Sequence, residues 1–194
     1  MNWKEYTGLF FGSFNPIHVG HMVLANYFAE FVGLNELWFV VSPHNPLKER
    51  VSLLADHHRI EMVNLAIADD PRFRASDIEF HLPKPSYTIH TLTYLEEKYP
   101  GRKFALIVGG DNLESFNKWK NPEVILERFP LLVYARPGFD GGEFLKHPSV
   151  RIFEAPLMEI SSSMIRMAIR QGKNMRFFLP PGVWKYMEEM NLYK

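Results

Sequence analysis

The segment Gly12-Ser13-Phe14-Asn15-Pro16-Ile17-His18-Val19-Gly20-His21 follows a short apolar run, Tyr6 to Phe11, and leads into a helix-like stretch. Its residue types suit the binding of an anion. His18 and His21 stand three apart, so on the first turn of a helix they share one side. A helix start presents N–H groups without intrahelical partners and the positive end of the dipole, a setting that favours phosphate. The dipole contributes about 0.3–1 kcal/mol, whereas a charge-assisted hydrogen bond is worth roughly 1.5–3 kcal/mol. Side-chain and backbone donors should therefore dominate. Gly12 removes a Cβ where the chain leaves the strand and would let backbone approach a ligand, and Gly20 leaves room between the histidines. Ser13, Asn15 and Pro16 suit a turn.

A second cluster, Ile160-Ser161-Ser162-Ser163-Met164-Ile165-Arg166, lies near the other end of the chain. One serine would cap a helix while the others offer hydroxyls and N–H groups at its start. Arg166, one turn on, carries a planar fork that can reach the same anion. Between the clusters, Asp111 could cap a helix or accept from a ribose diol. Trp119 could pack or stack on an aromatic ring. Thr88 could simply be an N-cap, and Lys48 is by default a solvated loop cation. Two histidines at this spacing also permit a zinc site, with His44, His57 or His58 as a third ligand. The chain has no cysteine and no HExxH pattern, so no metal is assigned to its side chains.

The elements that must position these residues can be traced from hydrophobic spacing. Tyr6–Phe11, Glu36–Val41, Phe104–Val108, Leu131–Ala135 and Val150–Phe153 read as strands. Helices are expected at about Val19–Val32, Ala55–Ala68, Thr88–Lys98, Ser161–Gln171 and Pro181–Glu189. Apolar strands alternating with helices imply βαβ units and a mostly parallel, buried sheet flanked by helices, a Rossmann-like, doubly wound α/β fold. Ligands of such sheets sit beyond the carboxyl ends of the strands. The turns after Phe11, Val41, Val108 and Ala135, all rich in Gly, Pro or polar residues, should then build one site.

Composition bounds the alternatives. With 194 residues, and no repeat or linker, one domain over 1–194 is expected, with a C-terminal helical part from about 161. The 22 basic and 22 acidic side chains cancel, which disfavours nucleic acid as a partner. No apolar stretch approaches the roughly 20 residues of a membrane span, and Met1-Asn2-Trp3-Lys4-Glu5 does not read as a signal peptide. The absence of cysteine fits a reducing compartment, so a cytoplasmic location is expected.

The first segment resembles the (H/T)-x-G-H signature of the nucleotidylyltransferase superfamily, usually G-x-F-D-P-x-H-x-G-H, with Asn15 in place of the common Asp. The serine cluster resembles its I-S-S-T/S-x-I-R motif, which binds the ATP triphosphate. Ser86-Tyr87-Thr88 with Thr91-Leu92, Gly109-Gly110-Asp111 with Phe116 and Trp119, Pro43 to Lys48, and Ala135-Arg136-Pro137-Gly138 resemble segments of the bacterial nicotinate-nucleotide adenylyltransferases. Pantetheine-phosphate adenylyltransferases usually have Thr where this chain has His18, and lack the Ser-Tyr-Thr and Trp segments. The resemblance spans about Leu9 to Tyr193.

It implies transfer of an adenylyl group from ATP to nicotinate mononucleotide, giving deamido-NAD and pyrophosphate, with Mg²⁺ carried on ATP. His18, His21 and Arg166 are the expected catalytic residues. Gly12, Ser13, Phe14, Gly20, Ser162 and Ser163 would join them in binding ATP. Asn45, Lys48, Tyr87, Thr88, Asp111, Trp119 and Arg136 would bind the mononucleotide. Asn15 is assigned no catalytic role. Two alternatives stay open: nicotinamide mononucleotide as preferred acceptor, and a nucleotide-binding module without turnover. Oligomeric state is not readable.

Overall fold

A computed structural model describes residues 1–43, 53–135, 138 and 142–194. Six strands form the sheet: β1 (Tyr6–Gly12), β2 (Glu36–Val41), β3 (Phe73–Ser76), β4 (Lys103–Gly109), β5 (Leu131–Tyr134) and β6 (Val150–Phe153). Their order is β3-β2-β1-β4-β5-β6, and every pairing is parallel. The expected mostly parallel sheet is thus wholly parallel among the described residues. Strand order reverses between β1 and β4, the place where open α/β sheets hold ligands beyond the strand ends.

Because the sheet is covered on both sides, alternate residues of each strand enter different cores. Phe10, Phe39, Ile107 and Leu132 pack with helices α1 (Val19–Tyr27), α2 (Asp56–Ile67), α6 (Ser162–Arg170) and α7 (Pro181–Glu189). Leu9, Trp38, Val40, Leu106 and Val133 pack on the other face with α3 (Thr88–Lys98), α4 (Gly110–Glu114) and α5 (Pro122–Arg128). Residues of α6 and α7 belong to the same core as β1.

The Val19–Val32 helix is continuous but widens into a π-helical turn over Phe28–Val32, and ends at Gly33 in the left-handed conformation, φ 85°. A glycine tolerates that geometry without Cβ strain. Among the described strands and α-helices, β3, α4 and α5 have no counterpart among the segments expected from the sequence. Strand β3 is a four-residue edge strand, Phe-Arg-Ala-Ser, too short and mixed to give an apolar run. No helix among the described residues is long and apolar enough to cross a membrane.

Candidate active site

The first turn leaves β1 with its side chains turned inward. Phe14 adopts φ 44° and is only 2% exposed, its ring in the core beside Phe10 and Phe39. A Cβ on Gly12 would lie 2.8 Å from the Phe14 ring. The packing of Phe14 is thus one reason for a glycine here, additional to the close approach of a ligand expected from the sequence. Phe14 can offer a nucleotide only its backbone. Gly20 likewise makes space for a neighbour: a Cβ there would sit 3.1 Å from the His18 ring.

His18 is buried and occupies the N-cap of α1. Its backbone N–H donates to His21 Nδ1 at 3.2 Å, and the two rings stack with centroids 3.8 Å apart. An Nδ1 that accepts places the proton of a neutral imidazole on Nε2. His21 thus presents an N–H donor whose ring is braced by Phe14, 5.1 Å away edge-on.

The serine cluster folds as expected onto this turn. Ser161 is the N-cap of α6, its hydroxyl accepting from Met164 N–H. The Ser162 hydroxyl donates to the Pro16 carbonyl at 2.9 Å. Arg166 donates to the Asn15 carbonyl at 2.7 Å and to Ser163 Oγ at 3.2 Å. Those two bonds leave three of the guanidinium's five N–H groups. Burial pushes its pKa below the usual arginine value. Two motifs almost 150 residues apart are in this way hydrogen-bonded into one donor-rich surface at the end of β1.

Sequence reasoning missed Arg59. Its side chain is fully buried; it donates to the carbonyls of Ser13 (2.8 Å), Ser42 (2.7 Å) and Leu54 (3.1 Å), and pairs with Asp56. Burial lowers its pKa, and the Asp56 carboxylate works against that. One signal was available: Arg59 lies three and four residues before the core residues Met62 and Val63, on the apolar face of its helix.

Of the expected mononucleotide residues, Tyr87, Thr88, Asp111 and Trp119 lie on segments that pack on the opposite face of the sheet. Tyr87, rather than Thr88, is the N-cap of α3, and Thr88 is its first residue. Beneath them Thr91 donates to the buried Glu79 at 2.6 Å. Asp111 is exposed on α4, directly past β4. Trp119 packs partly on Phe116, centroids 5.0 Å apart. The neighbouring Lys120 ammonium lies 4.7 Å over the Tyr87 ring, so the α3 start and the Trp119 segment are adjacent. Asn45, Lys48 and Arg136 lie outside the described residues, as does His44. His58 instead bonds the Tyr186 hydroxyl at 2.8 Å. Among the described residues no group of three His, Cys, Asp or Glu could hold a metal.

Comparisons with known proteins agree with this geometry. The cytidylyltransferase-like family model matches residues 9–168. A Flavobacterium johnsoniae protein named probable nicotinate-nucleotide adenylyltransferase is 50% identical over 189 residues, covering 96% of this chain and 98% of its own. One of the same name from Christiangramia forsetii is 51% identical, with both chains fully covered. A solved Plasmodium falciparum nicotinic acid mononucleotide adenylyltransferase, complexed with NaAD, superposes with a TM-score of 0.81. It covers 97% of either chain at 22% identity, a likeness of fold alone.

Proposed function

The chain belongs to the cytidylyltransferase-like family, and we infer that it is the nicotinate-nucleotide adenylyltransferase its full-length relatives are named for. ATP and nicotinate mononucleotide give deamido-NAD and pyrophosphate, a step of NAD biosynthesis. The observation that carries the assignment of roles is the bonding of Ser162 and Arg166 to the Pro16 and Asn15 carbonyls. It sets the two phosphate-binding motifs side by side at the switch point of the sheet.

The nucleophile is the phosphate of the mononucleotide, already ionised near neutral pH, so no general base is needed. One of its oxygens forms a bond to the α-phosphorus of ATP as the bond from that phosphorus to the β-phosphate oxygen breaks. Catalysis then consists of in-line positioning and of neutralising charge on the leaving pyrophosphate. His21, through Nε2–H, and His18 hold the phosphates near the reacting phosphorus. Ser162, Ser163 and the remaining N–H groups of Arg166 clamp the β/γ end, assisted by backbone N–H groups of Ser13 and Gly20. Tyr87, Thr88, Asp111 and Trp119 receive the mononucleotide on the other face, with Asn45, Lys48 and Arg136 completing that subsite.

The donors at the turn are imidazole, guanidinium and hydroxyl, and Asn15 replaces a carboxylate. These residues fit Mg²⁺ that is ligated by phosphate oxygens and its own waters rather than by a protein cage. Bound with ATP, it would supply further neutralisation of the leaving group. The whole of 1–194 acts as one catalytic unit in this reading, its helices from about 161 included, in the cytoplasm.

Purified protein with ATP and nicotinate mononucleotide should release pyrophosphate, and Arg166→Ala should lower that rate with the fold intact. An Arg166→Ala rate equal to wild type contradicts the triphosphate clamp. A wild type that binds ATP but releases no pyrophosphate would instead be a nucleotide-binding module.

A further inference from the structure

Asn15, given no catalytic role by its type, lies at a junction. It is 3% exposed. Its carbonyl accepts from Arg166, while its side-chain Oδ1 accepts from the hydroxyl of Tyr193 at 2.6 Å and from Leu54 N–H at 3.3 Å. Tyr193 comes from the C-terminal end of the described chain, 178 residues away. It too is buried. It sits in the left-handed region at φ 65°, shortly after Asn191 at φ 53°. Non-glycine residues adopt that conformation rarely, so the segment is held there by its contacts. Burial raises the phenol pKa against the opposing pull of Arg166 and Arg59, and the hydroxyl therefore stays protonated and donates.

We propose that Tyr193 is a positioning residue for adenylyl transfer: its hydroxyl fixes the Asn15 side chain, and through Asn15 it sets the carbonyl on which Arg166 is anchored. The C-terminal segment is thereby part of the ATP half of the site and not of the acceptor half. Without the hydroxyl, Asn15 loses the shorter of the bonds that its Oδ1 accepts from Tyr193 and Leu54, and the turn gains freedom beneath the phosphates. Tyr193→Phe removes that hydrogen bond while keeping the ring that packs in the core.

The proposal rests on the adenylyltransferase reading, and its test uses one readout that needs no turnover. In the full chain, Tyr193→Phe should weaken ATP binding measured by calorimetry and lower kcat by roughly three- to tenfold, the scale of one hydrogen bond. The KM for nicotinate mononucleotide should stay within about twofold, because the altered bond serves only the ATP side. Combined with Asn15→Ala, it should add little further loss, since both remove the same interaction. Val183→Ala, at a core position of α7, should lower thermal stability yet leave both ATP readouts unchanged. Wild-type ATP affinity in Tyr193→Phe overturns the proposal, as does a loss fully additive with Asn15→Ala. A wild type without pyrophosphate release would refute the reaction, while the calorimetric comparison would still decide the role of Tyr193.

Discussion

Arg59 donates from Nη1 to the carbonyl of Ser13 at 2.8 Å, and the same nitrogen donates to the carbonyl of Ser42 at 2.7 Å. One buried cation therefore ties the turn after β1 to the end of β2, the two strands paired in register from Thr7↔Glu36 to Gly12↔Val41. Removing it would strand several buried carbonyls and unpair Asp56. Arg59→Met should cost roughly 3–5 kcal/mol, as loss of one partner of a buried pair does. For a chain of this size that is about 6–20 °C in thermal midpoint, read by calorimetry. A shift of a degree or less would mean that water replaces the guanidinium without penalty.

His21→Ala should leave the fold intact and lower kcat by at least about 100-fold, the scale of one well-placed donor to developing charge. His21→Asn sharpens this. Asparagine can still accept from the His18 N–H, so the start of α1 should hold, but it cannot reach the Nε2 position. Steady-state rates with circular dichroism check both variants. Activity within a few-fold of wild type in either would remove His21 from the chemistry.

Trp119→Ala should raise KM for the mononucleotide far more than KM for ATP. The indole stands on the α3/α4 face with Tyr87 and Lys120, while the histidines and Arg166 adjoin the other core. Equal increases for both substrates would make Trp119 a packing residue only.

Gly12→Ala should destabilise the chain by about 1–3 kcal/mol, the usual cost of overpacking. Its Cβ would meet the Phe14 ring at 2.8 Å, and that ring is enclosed by Phe10, Phe39 and His21. Urea unfolding measures the loss. Unchanged stability would show that the ring can move aside.

Alkaline pH gives an independent check on the Tyr193 hydroxyl. Its pKa is raised in the folded chain, so the unfolded chain, with tyrosine near its ordinary value of about 10, gives up the proton first. The stability due to this group is full below pH ~10 and falls as pH rises toward the folded pKa. The stability gap between wild type and Tyr193→Phe should therefore shrink between pH 8 and pH 10.5. A gap independent of pH would mean that the phenol titrates normally.

Much of this architecture was legible in the sequence because buried parallel strands are continuous apolar runs, and Val150–Phe153 and Pro181–Glu189 have the bounds expected of them. The serine cluster was readable because capping is local chemistry, as Ser161 demonstrates. What escaped depends on distant contacts. Nothing near Arg59 names the four carbonyls it binds, those of Ser13, Ser42, Pro43 and Leu54, nothing near Tyr193 points to Asn15, and the packing of Gly12 follows from the path of Phe14. Strand β3 lacked an apolar run because its exposed Arg74 lies over the Trp38 ring, 4.5 Å from the centroid.

The most direct test of the account is a side-by-side measurement of kcat/KM for nicotinate and nicotinamide mononucleotides with ATP, following pyrophosphate and product mass together. Equal amounts of pyrophosphate and deamido-NAD are expected, with a kcat/KM for the acid that exceeds the amide by at least about tenfold, or roughly 1.4 kcal/mol of transition-state binding. Equal or better use of the amide, or no pyrophosphate with either acceptor, would contradict it.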